Sequence, residues 1–337
     1  MKIVYGKETY TCAPGENVLE TLLREGVKAP FSCRKGSCLT CMVRVTSGTV
    51  PEESQANLKR TLRAAGFFLP CVCKPVEDLV VVPPADAEVF SRATVTRLEK
   101  LAPTVCRIRL RPAAPLYYRA GQFINIRRDD GLVRSYSLAS IPHVDEDLEL
   151  HVKRMEGGRM SNWVFESLAE GAGLDFQGPN GSCFYVSGKP AQKILLVGTG
   201  TGLSPLLGIT RDALKAGHTG PIHLYHGSRA VDGLYLRDDL GILDLGHDNF
   251  HYHACVSGTD VAADCRAGRA DSLALADQAA LSGWRVFLSG YPAMVNATQR
   301  AAFMAGASMA EIHADPFDFS DLRQAPREQV ADRLDVW

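Results

Sequence analysis

The sequence predicts a multidomain protein of the α+β and α/β classes, built from three consecutive modules. Residues 1–88 combine short alternating strands, one amphipathic helix and a cysteine-rich loop, which indicates a small α+β domain. Short β-rich segments divided by Gly and Pro fill residues 89–187 and are typical of an antiparallel β-barrel. Strands alternate with helices over residues 188–317, which predicts a doubly wound parallel α/β sheet, and residues 318–337 follow as a C-terminal extension.

The composition is that of a globular protein rather than a nucleic-acid or membrane binder. The 337 residues are 46% hydrophobic and 22% charged, with a net charge of −1, so no global charge favours an anionic partner. No apolar run approaches the roughly 20 residues that span a bilayer, and residues 1–8 alternate like a strand instead of forming a signal segment. Ten cysteines in such a chain predict metal ligation in the reducing cytoplasm. Nothing in the pattern requires a dimer, so we expect a monomer.

The cysteine-rich loop, residues 31–41, predicts a metal centre. Its three thiols have the spacing C-x4-C-x2-C, the plant-type arrangement in which one loop and a distant cysteine hold a 2Fe–2S cluster. Paired short spacings of zinc sites and the disulfide frameworks of short secreted chains fit this pattern poorly. The loop cysteines are Cys33, Cys38 and Cys41, and the candidates for the fourth ligand are Cys71 and Cys73. Gly36 lets the loop aim backbone N–H groups at the cluster sulfurs.

With four cysteines in register, the first 85 or so residues resemble a plant-type 2Fe–2S ferredoxin, which implies a β-grasp fold. The resemblance implies Cys71 as the fourth ligand, because the 29-residue gap from Cys41 is typical of these ferredoxins. Leu39 departs from the resemblance, since these ferredoxins usually carry glycine there.

The barrel module carries two polar motifs suited to a flavin dinucleotide. Arg134 precedes Tyr136 and Ser137 in a strand, where arginine suits a diphosphate and tyrosine can lie against a flavin ring. Further on, Gly157-Gly158 leads into a helix predicted from Ser161, whose first N–H groups make an anion site.

Together these motifs resemble the FAD-binding domain of the ferredoxin–NADP reductase family. The resemblance implies that Arg134, Tyr136 and Ser137 hold the FAD diphosphate and isoalloxazine ring. It also implies that a strand, His151, Val152 and Lys153, passes under the flavin largely through backbone contacts. A second phosphate clamp then comprises Gly158, Arg159, Met160 and Ser161. Gly178-Pro179-Asn180-Gly181 resembles the family's turn between domains.

The third module opens on a buried strand followed by a glycine-rich turn, Gly198-Thr199-Gly200-Thr201-Gly202, and a helix. Glycines at such a turn let a diphosphate approach the backbone and the helix N-terminus. The resemblance implies that this turn binds the nicotinamide cofactor, and that the segment from Ser289 lines the nicotinamide pocket through Gly290, Pro292 and Met294. Ser289 stands where the family usually has cysteine. We expect Thr201, Ser204 and Ser289 to hold the nicotinamide over the flavin.

Cofactor choice follows from the cations available for a 2′-phosphate. NADPH-dependent members of the family place Ser-Arg and a later Lys-x-Tyr after the third strand, whereas this chain has Ser257-Gly258 and no Lys-x-Tyr nearby. We therefore predict NADH, with the alternative that Arg229, after Ser228 at the second strand, grips a phosphate. Near the C-terminus, Phe317 is the candidate aromatic cover of the flavin, and Trp337 is a second one.

The order of ferredoxin, FAD and NAD modules resembles the reductase components of bacterial multicomponent oxygenases. NADH gives up two electrons as a hydride and a 2Fe–2S cluster accepts one, so the flavin is expected between them. The resemblance implies an oxidoreductase that passes electrons from NADH, through FAD and the cluster, to a terminal oxygenase or intermediate acceptor. Arg34 and Lys35 are candidate contacts for an acidic partner. Two alternatives stay open at this point: a reductase for a deoxysugar-biosynthesis dehydrase, and an electron carrier without NADH activity.

Overall fold

A computed structural model describes residues 1–85 and 89–317, and they form three sheets. The chain divides into two compact units. Of the described residues, one unit holds Met1–Ser91 together with Asn125–Ser135, and the other holds Arg92–Ile124 and residues 136–317. The segment 125–135 therefore belongs with the N-terminal domain, although it lies in the predicted barrel module.

The N-terminal domain is a five-stranded sheet with the order β2-β1-β5-β3-β4, in which β1 and β5 pair in parallel and β1 and β2 antiparallel. Its strands are β1 Lys2–Tyr5, β2 Glu8–Thr11, β3 Val43–Ser47, β4 Phe67–Phe68 and β5 Leu79–Val82. The predicted helix is α1, Val18–Arg24, and a capping box of Asn17 with Glu20 fixes its start. Between β3 and β4 the chain forms a short 3₁₀ turn, Glu52–Gln55, and helix α2, Arg60–Ala64.

The second sheet has six strands in the order β10-β7-β6-β11-β8-β9, and β7 pairs antiparallel with both β6 and β10. Its strands are β6 Ser91–Ala102, β7 Val105–Pro112, β8 Phe123–Arg127, β9 Val133–Ser137, β10 Leu148–Lys153 and β11 Gly173–Asn180. An antiparallel bridge between Leu138 and Leu150 joins the end of β9 to β10, which closes the sheet as the predicted barrel. Helix α3, Arg159–Glu166, follows β10. Most of the predicted turn at residues 178–181 lies inside β11.

The third sheet is parallel, with the order β15-β14-β13-β12-β16-β17, so the strand order reverses beside β12. Its strands are β12 Ile194–Thr199, β13 Ile222–Ser228, β14 Phe250–Val256, β15 Arg266–Ala267, β16 Arg285–Gly290 and β17 Ile312–Pro316. The helices around it are α4 Leu203–Lys215, α5 Arg237–Gly246, α6 Ala270–Asp277 and α7 Pro292–Met304. Ligands of such sheets bind where the carboxyl ends of strands meet at the reversal, here the ends of β12 and β16.

Within the described parts of the chain, no helix combines the length and the apolar character needed to cross a membrane.

Candidate functional site: a thiol loop and a dinucleotide crevice

The cysteine loop brings the four predicted ligands together as two thiol pairs. In the first pair, the N–H of Cys33 donates to Cys38 Sγ and the N–H of Cys38 donates to Cys33 Sγ, each at 3.4 Å. The second pair joins Cys41 to Cys71 by a hydrogen bond between their side chains. All four side chains are buried. Among residues 1–85 and 89–317, no three His, Cys, Asp or Glu side chains converge as ligands of a single ion, so the grouping here is by pairs.

Backbone amides of the loop point at the sulfurs. The N–H of Lys35 donates to Cys33 Sγ at 3.4 Å, and the N–H of Gly36 donates to Cys71 Sγ. The Cys38 side chain, the Ser37 hydroxyl and the N–H groups of Lys35 and Cys38 all hydrogen-bond Cys33 Sγ. Together they hold the pKa of the Cys33 thiol well below its ordinary value, despite burial. The pKa of Cys71 is lowered as well, while hydrogen bonds and burial raise the pKa of their partners Cys38 and Cys41. Each pair therefore favours one thiolate, the form of cysteine that binds metal.

The loop depends on left-handed backbone at Gly36, with φ of +79°, and at Leu39, with φ of +60°. Glycine adopts this conformation freely, whereas a leucine there is strained. The backbone thus explains why related ferredoxins carry glycine at the position of Leu39. This chain offsets the strain by burying the Leu39 side chain, 7% exposed, in the domain core.

The two candidates for the fourth ligand occupy different surroundings. Cys71 lies against Cys41, while the fully buried Cys73 hydrogen-bonds Ser54, and burial raises its pKa to about 12. The position of Cys71 beside Cys41 distinguishes the two candidates, whereas a raised pKa does not, because burial also raises the pKa of Cys38 and Cys41. Two pairs of thiols, one pair for each iron, fit a 2Fe–2S cluster, and Cys33, Cys38, Cys41 and Cys71 are the residues that would hold it.

In the second unit, Ser137 lies where three elements meet. Its hydroxyl donates to Asp315 Oδ2 of β17 at 3.1 Å, and its carbonyl accepts the Ser204 hydroxyl at 3.0 Å. Burial raises the pKa of Asp315 to about 6, although the Ser137 hydrogen bond opposes the shift. Asp315 is not among the predicted site residues, because only the fold brings residue 315 to residue 137. The available signal was its place two residues before Phe317.

The glycine-rich turn packs tightly against the end of β16. A Cβ on Gly202 would lie 2.4 Å from the Ser289 carbonyl oxygen, and one on Gly290 would lie 2.7 Å from the Thr199 carbonyl oxygen. Gly290 also has φ of +113°. The N–H of Tyr291 donates to Thr199 Oγ1 at 3.1 Å. Bare backbone is therefore required where the ends of β12 and β16 meet, the place where a diphosphate would approach.

The predicted flavin strand β10 directs its side chains in two ways. His151 is buried, its Nδ1 lies 3.0 Å from the Tyr235 hydroxyl, and its Nε2 lies 2.9 Å from Glu149 Oε1. Burial lowers the pKa of His151, so the neutral ring donates from Nε2 to the carboxylate and accepts from Tyr235 at Nδ1. Burial opposes ionisation of Glu149, but His151 and two nearby arginines outweigh it and lower its pKa to about 2. The imidazole side chain of His151 is thus committed to hydrogen bonds in the protein interior. Only the backbone of residue 151 is left for the predicted flavin contact.

Val152 is buried beside His151, while Lys153 is exposed, and its Nζ lies 3.7 Å from the place a Cβ of Gly200 would take. This puts a cation beside the glycine-rich turn. At the other end of the loop after β10, the Ser161 hydroxyl accepts the N–H of Met155 at 3.0 Å. A Cβ on Gly158 would lie 2.4 Å from that hydroxyl oxygen, so Gly158 is needed where helix α3 begins. Arg159, Met160 and Ser161 form the first turn of that helix.

The remaining predicted contacts are distributed around the same crevice. Ser228 ends β13, Arg229 follows it as an exposed side chain, and Pro292 begins helix α7. Met294 is 2% exposed and packs in the core rather than at the surface of the crevice. The N–H of Phe317 donates to the Gly290 carbonyl at 2.8 Å, which fixes the end of β17 beside the turn. Trp337 and the extension 318–337 lie outside the described residues.

A loop with two thiol pairs, a closed barrel and a parallel sheet with a glycine-rich turn define a flavin- and iron–sulfur-dependent class of oxidoreductase. Family models agree in the same order: a 2Fe-2S iron-sulfur cluster binding domain over residues 3–76, an oxidoreductase FAD-binding domain over 93–185 and an oxidoreductase NAD-binding domain over 196–300.

Relatives match over nearly the whole chain. The ferredoxin–NAD(P)(+) reductase component of a naphthalene 1,2-dioxygenase system from Pseudomonas putida is 34% identical over 312 residues, 90% of this chain and 94% of the relative. An aromatic O-demethylase reductase subunit from Amycolatopsis is 34% identical over 331 residues, covering 93% and 97%. A solved Amycolatopsis cytochrome P450 reductase superposes with a TM-score of 0.68 at 33% identity, covering 94% and 98%.

The chain belongs to the family of reductase components of multicomponent oxygenases. The predictions of fold class, of oxidoreductase activity and of 2Fe–2S, FAD and NADH as cofactors are confirmed by these matches. The domain boundaries, the individual site residues and the discrimination against NADPH stay predictions.

Proposed function

We propose that this chain takes hydride from NADH in the crevice of the second unit and releases single electrons from the thiol loop to the acidic face of a terminal oxygenase component. The observation that carries the proposal is the junction of Ser137, Ser204 and Asp315, which joins the flavin strand, the nicotinamide helix and the closing strand. When bound, NADH and FAD supply the hydride chemistry and the 2Fe–2S cluster supplies one-electron transfer.

The residues of the crevice have positioning roles. Gly202 and Gly290 allow the dinucleotide backbone to approach the ends of β12 and β16, and Lys153 adds a positive charge beside the turn. Ser204 is tied to the Ser137 carbonyl, so the helix that receives the nicotinamide cofactor moves with the flavin strand. The protein supplies orientation and exclusion of water, and no side chain is needed as a general acid or base.

The end of β14 supports NADH over NADPH. The N–H of Gly258 donates to the Arg229 carbonyl at 2.9 Å, and a Cβ on Gly258 would lie 2.3 Å from that oxygen. No cationic side chain therefore fits at position 258, where the resemblance to NADPH-dependent reductases implies an arginine. Arg229 is exposed and is the candidate cation for binding a 2′-phosphate.

The test is an anaerobic titration of the holoprotein with NADH and with NADPH, followed by absorbance and EPR. We expect NADH to bleach the flavin and reduce the cluster at lower concentration than NADPH, and Arg229→Ala to leave the preference within about threefold. A large loss confined to NADPH in Arg229→Ala would show that Arg229 reads a 2′-phosphate. Failure of NADH to bleach the flavin would overturn the proposal.

Lys35 is the exposed charge of the cluster loop, whereas the Arg34 guanidinium lies 4.4 Å from the centre of the Phe31 ring. Charge reversal at Lys35 therefore tests docking with Arg34 left in place over Phe31. Lys35→Glu should slow reduction of the terminal component and weaken its salt dependence, while NADH–ferricyanide turnover is unchanged. Lys7→Glu, the same change in the β1–β2 turn, is the matched control. Equal effects of the two variants would contradict the docking role.

The cytoplasmic location and the monomeric state are further parts of this proposal.

A further inference from the structure

Asn125 of β8 holds the cluster loop by its side chain. Its Nδ2 donates to the backbone carbonyl of Cys38 at 2.7 Å, and the residue is completely buried. Cys38 is one of the four proposed cluster ligands. A short hydrogen bond in a dry environment fixes its partners more firmly than a surface contact, because neither group has water as an alternative.

The other end of the Asn125 side chain is bound to β9. The Ser135 hydroxyl lies 2.7 Å from Asn125 Oδ1. Since the Cys38 carbonyl can only accept, the amide nitrogen must face it, and Oδ1 must accept from Ser135. Ser135 stands in the chain between Arg134 and Tyr136, the two residues proposed to hold FAD. The segment 125–135 also belongs to the same compact unit as the ferredoxin domain.

We propose that Asn125 is the positioning residue for electron transfer inside this protein. It clamps the backbone of a cluster ligand to the strand that binds the flavin. This inference rests on the proposed function. Electron transfer between two fixed groups falls steeply with their separation, so a loop released by even an ångström slows the step without changing either redox group.

Asn57 provides a comparison on the same loop, with an exposed side chain where that of Asn125 is buried. Its Nδ2 donates to the Gly36 carbonyl at 3.0 Å, so it braces the same loop with the same chemical group. Asn57 belongs to the ferredoxin domain and has no part in β8 or β9. Loss of Asn57 therefore loosens the loop internally, whereas loss of Asn125 also detaches it from the flavin strand.

The experiment compares Asn125→Ala, Ser135→Ala and Asn57→Ala as holoproteins. Anaerobic stopped-flow follows flavin bleaching by NADH, rapid-freeze EPR follows cluster reduction, and hydrogen exchange reports the amides of residues 33–42. For Asn125→Ala we expect cluster reduction about tenfold slower or more, flavin bleaching within twofold and faster amide exchange around Cys38. Asn57→Ala should change exchange near Gly36 but leave cluster reduction within about threefold.

If Asn125→Ala fails to retain the cluster, Ser135→Ala tests the inference in its place, because it keeps the hydrogen bond between Asn125 and Cys38. Ser135→Ala should slow cluster reduction by a smaller factor, about threefold or more. Two results would overturn the inference. The first is an equal rate of cluster reduction in the Asn125 and Asn57 variants. The second applies if Asn125→Ala loses the cluster, and it is a wild-type rate of cluster reduction in Ser135→Ala. Failure of NADH to bleach the wild-type flavin would count against the proposed function instead.

Discussion

The thiol loop and the dinucleotide crevice are built in opposite ways. In the loop, side chains close together in the sequence carry the chemistry, and the backbone serves them by donating N–H groups to sulfur. In the crevice, bare backbone carries the chemistry at Gly202 and Gly290, and the side chains that meet there come from positions as distant as 137 and 315.

The difference shows where each site is vulnerable. A site made of ligand side chains is destroyed by removing one side chain, because nothing else supplies a thiolate. A site made of close backbone approaches is destroyed by adding a side chain, because the space is already filled. The same protein should therefore respond to deletion of atoms in one region and to addition of atoms in the other.

The largest expected effect is loss of the cluster in Cys71→Ser. Cys71 is paired with Cys41, and a serine hydroxyl does not replace the thiolate. We expect nearly complete loss of cluster iron and of its visible circular dichroism, with bound FAD and NADH–ferricyanide turnover retained. Cys73→Ser is the control, since Cys73 lies by Ser54 in the core, and it should keep its iron. Retention of the cluster in Cys71→Ser would show that the thiol loop does not depend on this ligand side chain.

Adding one methyl group tests the crevice. A Cβ on Gly202 would meet the Ser289 carbonyl oxygen at 2.4 Å, so Gly202→Ala must push the turn away from β16. We expect flavin reduction by NADH to slow about 100-fold, the consequence of a displacement near an ångström, with the cluster unaffected. Stopped-flow bleaching measures the rate. Gly241→Ala on helix α5, where a Cβ meets nothing within 4 Å, should behave like wild type. A normal rate in Gly202→Ala would show that backbone approach does not form the site.

The same contrast explains what the sequence could predict. The amphipathic helix of the first module and the order of the three modules were predicted as found, because a motif or a period of a few residues determines each. The Ser137–Asp315 contact, the Asn125–Cys38 bond and the burial of His151 against Tyr235 depend on the fold joining distant segments. No local pattern encodes such contacts.

Asp315 makes the crevice sensitive to pH. Its pKa in the folded protein, about 6, lies above the ordinary value of 3.8, so between these values the folded state binds more protons than the unfolded state. The free energy of unfolding should therefore gain from this group as pH falls from above 6 to below 4. Asp315→Asn should be about 2 kcal/mol more stable than wild type at pH 8, and the difference should shrink to about one third of that value at pH 4.5.

Thermal or denaturant unfolding of both proteins at pH 8 and pH 4.5 measures this difference. Comparing wild type with the variant at each pH cancels the histidines whose pKa burial lowers, such as His151, which destabilise the fold on acidification. A constant difference between the two proteins at both pH values would show that Asp315 titrates as an exposed aspartate does.

The smallest effect concerns Ser289, where the family usually has cysteine. The side chain is fully buried, and its hydroxyl has no hydrogen-bond partner among the described residues. Burying a hydroxyl without a partner destabilises a protein, so Ser289→Cys should raise the free energy of unfolding by about 1 kcal/mol. Because the crevice relies on the backbone of residue 289 more than on its side chain, flavin reduction by NADH should change less than about threefold. A larger change in the rate of flavin reduction, with the free energy of unfolding unaltered, would mean that the Ser289 side chain contacts the nicotinamide. The crevice would then depend on side chains, as the thiol loop does, and not mainly on its backbone.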